Sequence, residues 1–414
     1  MYYGIQTPLL PFLGACLYGD AAAYYGGLSE SERAELETQG KESGLTAWFY
    51  RYLYDVLPAE KRAEYQKIYQ SRQIKAIMGA QELKRLYRVL SSHKLRFVPI
   101  KGADMAYRLY SDTALRAFID WDIWFHPDDC DLAIEVLKED GWSILEFYSD
   151  EHDGVMKTVE HHFSPHVRGP YIVEPHCTLA HFEGADPREM WAETVECPGG
   201  DGQRVLSPEM NLLMHARHAA GDSYYHAQLP KLLADAAVVM QKETIDFEKL
   251  RSLAARWRLP YPGDLLAAFP EFFPSSEIAK FGADPQKTAE FRQIFELRGE
   301  TGRPSTVALT LSRFEMQEQM TARVLNHIFS LKPYKIRCIF HLPKHGAWGR
   351  VAWAYVRYFL TRTWRVLAIA CLPKKSKQKK YLSLVEKIES NTHAQNDTER
   401  PSGPKDCGSG DCTR

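Results

Sequence analysis

The chain has 414 residues, 45% of them hydrophobic and 25% charged, with a formal net charge of −1, the profile of a globular protein of two or three domains. No uninterrupted apolar run reaches the ~18 residues of a membrane span, and the N-terminus lacks the basic-then-apolar pattern of a secretory signal. Its eight cysteines form no CxxC pair, which sets aside a zinc site or a disulfide framework and points to a cytoplasmic protein.

In chain order, residues 1–95 read as helical, with 24–29 as a loop and Ser29 or Ser31 as the N-cap of the run that follows. Ile74, Ile77, Met78, Leu86 and Leu90 repeat at helical spacing and predict a helix ending near His93. The expected role of this region is packing and interdomain scaffolding.

From 96 to 206 the signals alternate between strand and helix. An apolar run at 97–100 leads into Lys101-Gly102 and a helix over 103–110. The run 119–125 reads as a strand with Ile119, Trp121, Ile123 and Phe125 on one face, so Asp120 and Asp122 share the other. Pro127-Asp128-Asp129 opens a helix, with acids where the dipole favours them, and Gly141 closes it. A strand at 142–147, a hairpin partner at 158–166 and a turn at 168–170 lead to a strand at 171–176. Glu174 and His176 share one of its faces. The pattern predicts an α/β (α+β) core, a mixed sheet covered by helices on one face.

Two carboxylates at i, i+2 on one strand face repel each other unless positive charge lies between them, a demand Mg²⁺ meets. With Glu174 as a third acid, two divalent ions and an in-line displacement at phosphorus come within reach. The Gly102 turn offers backbone N–H groups and a helix start to phosphate oxygens. Lys101 and Arg116 are candidates for neutralising phosphate charge. Equally, Lys101 reads as a surface lysine at a strand end, and Arg116 as a structural partner of Asp112 or Asp120. His176 reads first as a satisfied core histidine and second as a ligand or substrate contact. His161 and His162 are adjacent, so in a strand at most one of them reaches the site.

Lys101-Gly102, then Leu115-Arg116 before Asp120-Trp121-Asp122-Ile123, then Val173-Glu174-Pro175-His176, in that order, resemble an uncharacterised branch of the nucleotidyltransferase superfamily, with its polymerase-β-like fold. The resemblance covers roughly 48–259. Most of the superfamily has Gly-Gly or Gly-Ser at the turn, and Lys-Gly is the form of this branch. The resemblance implies a catalytic core at 96–206 and a helical domain at 207–330 that closes the nucleotide cleft. It implies Mg²⁺, with Mn²⁺ as a substitute, and a nucleoside triphosphate, ATP in first place. A nucleoside monophosphate would pass to an acceptor hydroxyl of a small molecule, a peptide or protein, or an RNA, with release of pyrophosphate.

On that reading Asp120, Asp122 and Glu174 hold metal and carry catalysis, while Lys101, Gly102 and Arg116 bind the nucleotide. The resemblance also places Lys231 near the triphosphate, with Asp235 as a substrate contact. The residues alone read Lys231 and Asp235 as an i, i+4 pair on a helix surface. Two alternatives stand beside it: an inactive binding module on the same fold, and a toxin-like enzyme that adds nucleotides to tRNA.

Helices are expected at 211–219 and 229–241, separated by Gly221-Asp222-Ser223, and 260–303 reads as irregular with short helices. Between residues 319 and 385 there are fourteen Lys and Arg and no Asp or Glu. Such segregation points to an anionic partner, RNA or a membrane surface. Within the basic segment 331–385, residues 346–372 are amphipathic. Arg350, Arg357, Arg362 and Arg365 are assigned to one side, and Trp348, Trp353, Val356, Phe359, Leu360 and Leu367 to the other. A packed helix, a membrane-interface helix and a nucleic-acid footprint all fit that pattern. The tail at 386–414, with Cys407 and Cys412, is expected to be disordered.

Overall fold

The computed structural model describes residues 8–145, 162–179, 182, 185–197, 202–221, 229–257, 259, 261–301 and 348–370. The predicted strand start at 158–161, His161, most of the basic segment and the tail lie outside the described residues.

Five helices open the chain: α1 Leu9–Tyr18, α2 Ala21–Gly27, α3 Glu30–Glu42, α4 Thr46–Leu53 and α5 Ala59–Ser92. Ser29 caps α3 in a reciprocal arrangement with Glu32, one of the two predicted caps. Residues 24–27 belong to α2 rather than to a loop, because Asp20 accepts from the Ala23 amide and starts a helix there.

Helix α5 ends at Ser92 as the spacing predicts, but only Leu86 and Leu90 of the predicted stripe are buried. Ile74, Ile77 and Met78 are exposed. The face turned inward carries small residues instead. Tyr107 donates a 3.0 Å hydrogen bond to the Ala76 carbonyl, and a Cβ on Gly79 would lie 2.8 Å from the same hydroxyl. Close approach of an aromatic ring selects Ala and Gly here, which an apolar periodicity cannot register.

The central sheet has strands β1 Phe97–Pro99, β2 Trp121–Phe125, β3 Ser143–Ile144, β4 His166–Arg168 and β5 Tyr171–His176, in the order β1-β2-β5-β4-β3. Neighbours β2 and β5 run parallel and the other pairs antiparallel. Gly169, at φ +56°, makes the tight β4–β5 turn. Helix α7 Cys130–Glu139 follows β2 and ends at Gly141, φ +85°. Between β1 and β2 the chain makes a short α-turn, α6 Lys101–Asp104, which runs on as a π-turn over Met105–Leu109.

Alternation along β2 divides two cores. Trp121, Ile123 and Phe125 pack with Val173, α7 and the last turns of α5. Trp124 faces the other way, into a larger cluster built on α1, α4 and the C-terminal helices. Asp122 shares the Trp124 side of the strand, so the acids look toward those helices. Ile119 departs from the expected pattern: it precedes the strand and is 82% exposed.

Among the remaining described residues the regular structure is helical apart from the hairpin β6 Thr194–Glu196 and β7 Arg204–Leu206. Its helices are α8 Pro187–Ala192, α9 Pro208–Gly221, α10 Leu229–Lys242, α11 Phe247–Arg256, α12 Pro262–Ala267, α13 Ser275–Ala279, α14 Pro285–Thr301 and α15 Trp348–Ala370. Among the described side chains of α15 the buried ones are Val351 and Ala354, packed with Tyr355 and Tyr358. Trp348, Trp353, Val356 and Leu360 are exposed. No helix among the described residues is long and apolar enough to cross a membrane.

Candidate active site

Parallel pairing sets Asp122 directly opposite Glu174 and Trp124 opposite His176. Residues paired this way point to the same side of a sheet, so two acids more than 50 positions apart meet without any long side-chain reach. Ligand atoms of Asp122, Glu174 and His176 all lie within 4.8 Å of one another. Asp122 is the centre of the group. Its Oδ1 receives the Lys101 ammonium at 2.8 Å and lies 2.8 Å from His176 Nε2. The same nitrogen stands 3.9 Å from Glu174 Oε2.

Burial opposes ionisation of Asp122, but Lys101 and the His176 hydrogen bond overcome it and hold this carboxyl well below the usual carboxylate range. Glu174 has no such help. Burial, with Asp122 and Asp120 beside it, pushes its pKa up to about 7. Asp120 is raised for the same reasons, burial first and Asp122 second. His176 is fully buried, and burial with the nearby Lys101 charge brings it down to about 4, so the ring is neutral and presents Nε2–H to Asp122. Three acids thus surround one ammonium. The cluster is short of positive charge, and carboxylate oxygens with one imidazole are donors that a divalent cation accepts.

The cluster meeting the ligand distance contains His176 and not Asp120. Asp120 stands just before β2, half-buried, close enough to Asp122, Lys101 and Arg116 to feel their charges. Lys101 is no surface lysine. It sits at the end of β1 with φ +53°, a left-handed conformation that glycine takes freely and lysine rarely. Burial works against its ammonium, Asp122 more than offsets that, and its pKa is held above the ordinary value. At Gly102 a Cβ would lie 2.7 Å from Phe118 Cβ, so the turn admits no side chain.

Arg116 is buried, and its partner is neither Asp112 nor Asp120. The guanidinium grips Asp235 on α10, with Nε 2.8 Å from both carboxylate oxygens. Tyr110 donates to the same carboxylate at 3.0 Å, and His215 Nδ1 on α9 stands 3.8 Å away. Asp235 is therefore no surface partner of Lys231 but the buried anchor of α10. Lys231, one turn earlier, is half-buried. Burial and the Arg116 charge bring its pKa down to about 8. Tyr110 and His215 escaped the sequence reading. A buried helical histidine has no local signature, and the Arg116–Asp235 pairing spans 119 residues.

A mixed sheet that presents acids from two parallel neighbours beside a glycine-opened turn is the arrangement of a nucleotidyltransferase. The family model described as uncharacterised nucleotidyltransferase matches residues 41–267, more than half of the chain. The chain belongs to that family. Searches of curated proteins and of solved structures return no match.

Proposed function

We propose that the protein transfers a nucleoside monophosphate from a nucleoside triphosphate, ATP in first place, to an acceptor hydroxyl, with pyrophosphate as the leaving group. The observation that carries this reading is the register of β2 and β5, which sets Asp122 and Glu174 side by side with His176, all within 4.8 Å. Divalent cations, Mg²⁺ or Mn²⁺, held by Asp122, Glu174 and His176 and by Asp120 beside them, would supply Lewis-acid polarisation at phosphorus and offset the charge of the leaving pyrophosphate.

The chain's own residues divide the remaining work. Asp122 stays ionised; without an ion the neutral His176 fixes the direction of its carboxylate through Nε2–H, and ligating an ion through that nitrogen would take the Nδ1–H tautomer instead. Glu174 either ligates an ion, which lowers its pKa from about 7, or, unligated, accepts a proton from the acceptor hydroxyl near neutral pH. Lys101, directed into the cluster, offers a fixed positive charge to a phosphate oxygen as it releases Asp122. The turn at Gly102 can pack against Phe118 only because no Cβ stands there, and its backbone amides are the candidate phosphate donors. Arg116 acts through Asp235, holding α10 and with it Lys231 over the cleft.

Incubation with α-labelled nucleoside triphosphates and Mg²⁺ or Mn²⁺, across small-molecule, protein and RNA acceptors, tests the proposal. Labelled acceptor and pyrophosphate should appear together. Asp122→Asn should lower the rate by about three orders of magnitude, the scale on which charge-stabilising groups act. Full activity in Asp122→Asn, or nucleotide binding with no pyrophosphate from any acceptor class, overturns it; the second outcome leaves a nucleotide-binding module.

A further inference from the structure

Two half-buried cations, Arg72 and Lys231, make no ion pair among the described residues. Arg72 lies on α5, three residues after Tyr69, whose hydroxyl donates to Asp112, and four before Ala76, whose carbonyl takes the Tyr107 hydroxyl. Residues three and four apart share a helix face, so Arg72 is directed at the segment between the Gly102 turn and β2. Its Nη1 is buried and has no hydrogen-bond partner, and no acid lies within ion-pair distance among the described residues. Lys231 lies on α10 one turn before Asp235, the residue that takes Tyr110 and Arg116 of that segment, and it too has no ion pair among the described residues. The charges that act on Lys231 come from Arg116, Asp235, Arg72 and Asp120. Asp120 links it to the acid cluster, and Arg72 opposes it. Burial alone lowers the Arg72 pKa, with no acid raising it.

Two like charges, both half-buried, one with no acid acting on it and the other with none in ion-pair contact, repel each other and are poorly hydrated. Such a pair is costly in the free protein and is satisfied by a ligand with at least two negative charges. We propose that Arg72 and Lys231 form a two-sided clamp for the β- and γ-phosphates of the substrate, one jaw from the N-terminal helices and one from the C-terminal helices. This inference rests on the transfer reading for the identity of the ligand, since Asp120 continues the line from the clamp to the acids where the α-phosphate would react. It makes α5 part of the binding site, whereas the sequence marked that region as scaffold.

The probes are inorganic tripolyphosphate, ATP and AMP, titrated calorimetrically against wild type, Arg72→Met, Lys231→Met and Arg72→Lys. Wild type should bind tripolyphosphate and ATP. Each Met variant should weaken both at least tenfold and leave AMP unchanged, while Arg72→Lys retains part of the affinity. Because Arg72 has no ion-pair partner, Arg72→Met should melt at the wild-type temperature or above it. Wild-type affinity for tripolyphosphate in Arg72→Met overturns the clamp, as does absence of tripolyphosphate binding in wild type, or an equal loss of AMP. The two proposals fail separately. Transfer activity with tripolyphosphate binding indifferent to Arg72 removes the clamp alone. Arg72-dependent tripolyphosphate binding without pyrophosphate release from any triphosphate removes the transfer reading alone.

Discussion

His215 shows what burial does to a single titratable group. It is almost wholly buried on α9, and burial brings its pKa down to about 4. The unfolded value is ~6.5, so the unfolded chain takes up a proton that the folded one refuses. The stability this group protects is fully present above pH 6.5 and is lost as pH falls from 6.5 toward 4. The loss is on the order of 3 kcal/mol across that window. Urea denaturation at pH 7 and pH 5 should show a steeper fall in wild type than in His215→Leu, and equal slopes would rule the account out. At Gly102 the constraint is steric. Gly102→Ala pushes a Cβ into Phe118 Cβ, close to the backbone and unable to swing away. It should cost about 1–3 kcal/mol, the range for overpacking, read as a lower urea midpoint.

At the level of elements, the pairing of Arg116 with Asp235 joins the turn before β2 to α10. Both groups are buried, so removing one strands the other. Asp235→Leu should destabilise by about 3–5 kcal/mol, and the double variant Arg116→Met with Asp235→Leu should recover most of it. A double-mutant cycle by denaturation measures the coupling, and additive losses would mean the pair is not coupled.

Several elements were legible in the chain because their signals are local: the Ser29 cap, the Gly141 stop, the alternation in β2 and the shared face of Glu174 and His176. Others were not. The outward Ile74, Ile77 and Met78 follow from Tyr107 arriving against α5 from 31 residues away. Asp120 was read as part of the strand, yet regular pairing with β5 begins at Trp121. A period of two cannot say where a ladder begins. Which strands are neighbours was equally invisible, and it is the parallel β2–β5 contact that turns two separate acids into one site.

For the whole molecule, the acid cluster is a charge imbalance that a bound cation would relieve, and such binding would be linked to folding. At a divalent ion concentration 100 times its dissociation constant the native state gains about 2.7 kcal/mol. Thermal shift with Mn²⁺ or Mg²⁺ should raise the melting temperature of wild type and leave Asp122→Asn with Glu174→Gln unmoved. An equal rise in both would place the ion elsewhere.

The tie between Arg116 and Asp235 has a consequence for how the protein is made. The ribosome delivers the whole acid cluster by His176, almost sixty residues before Asp235 emerges. Until then the guanidinium that seats the turn ahead of β2 has no anion to receive it. Synthesis that stops inside that interval yields a chain holding the whole acid cluster but no anion for Arg116. Fragments released inside that interval should therefore be cut by protease faster than the full-length chain, a difference that limited proteolysis of truncated chains would measure.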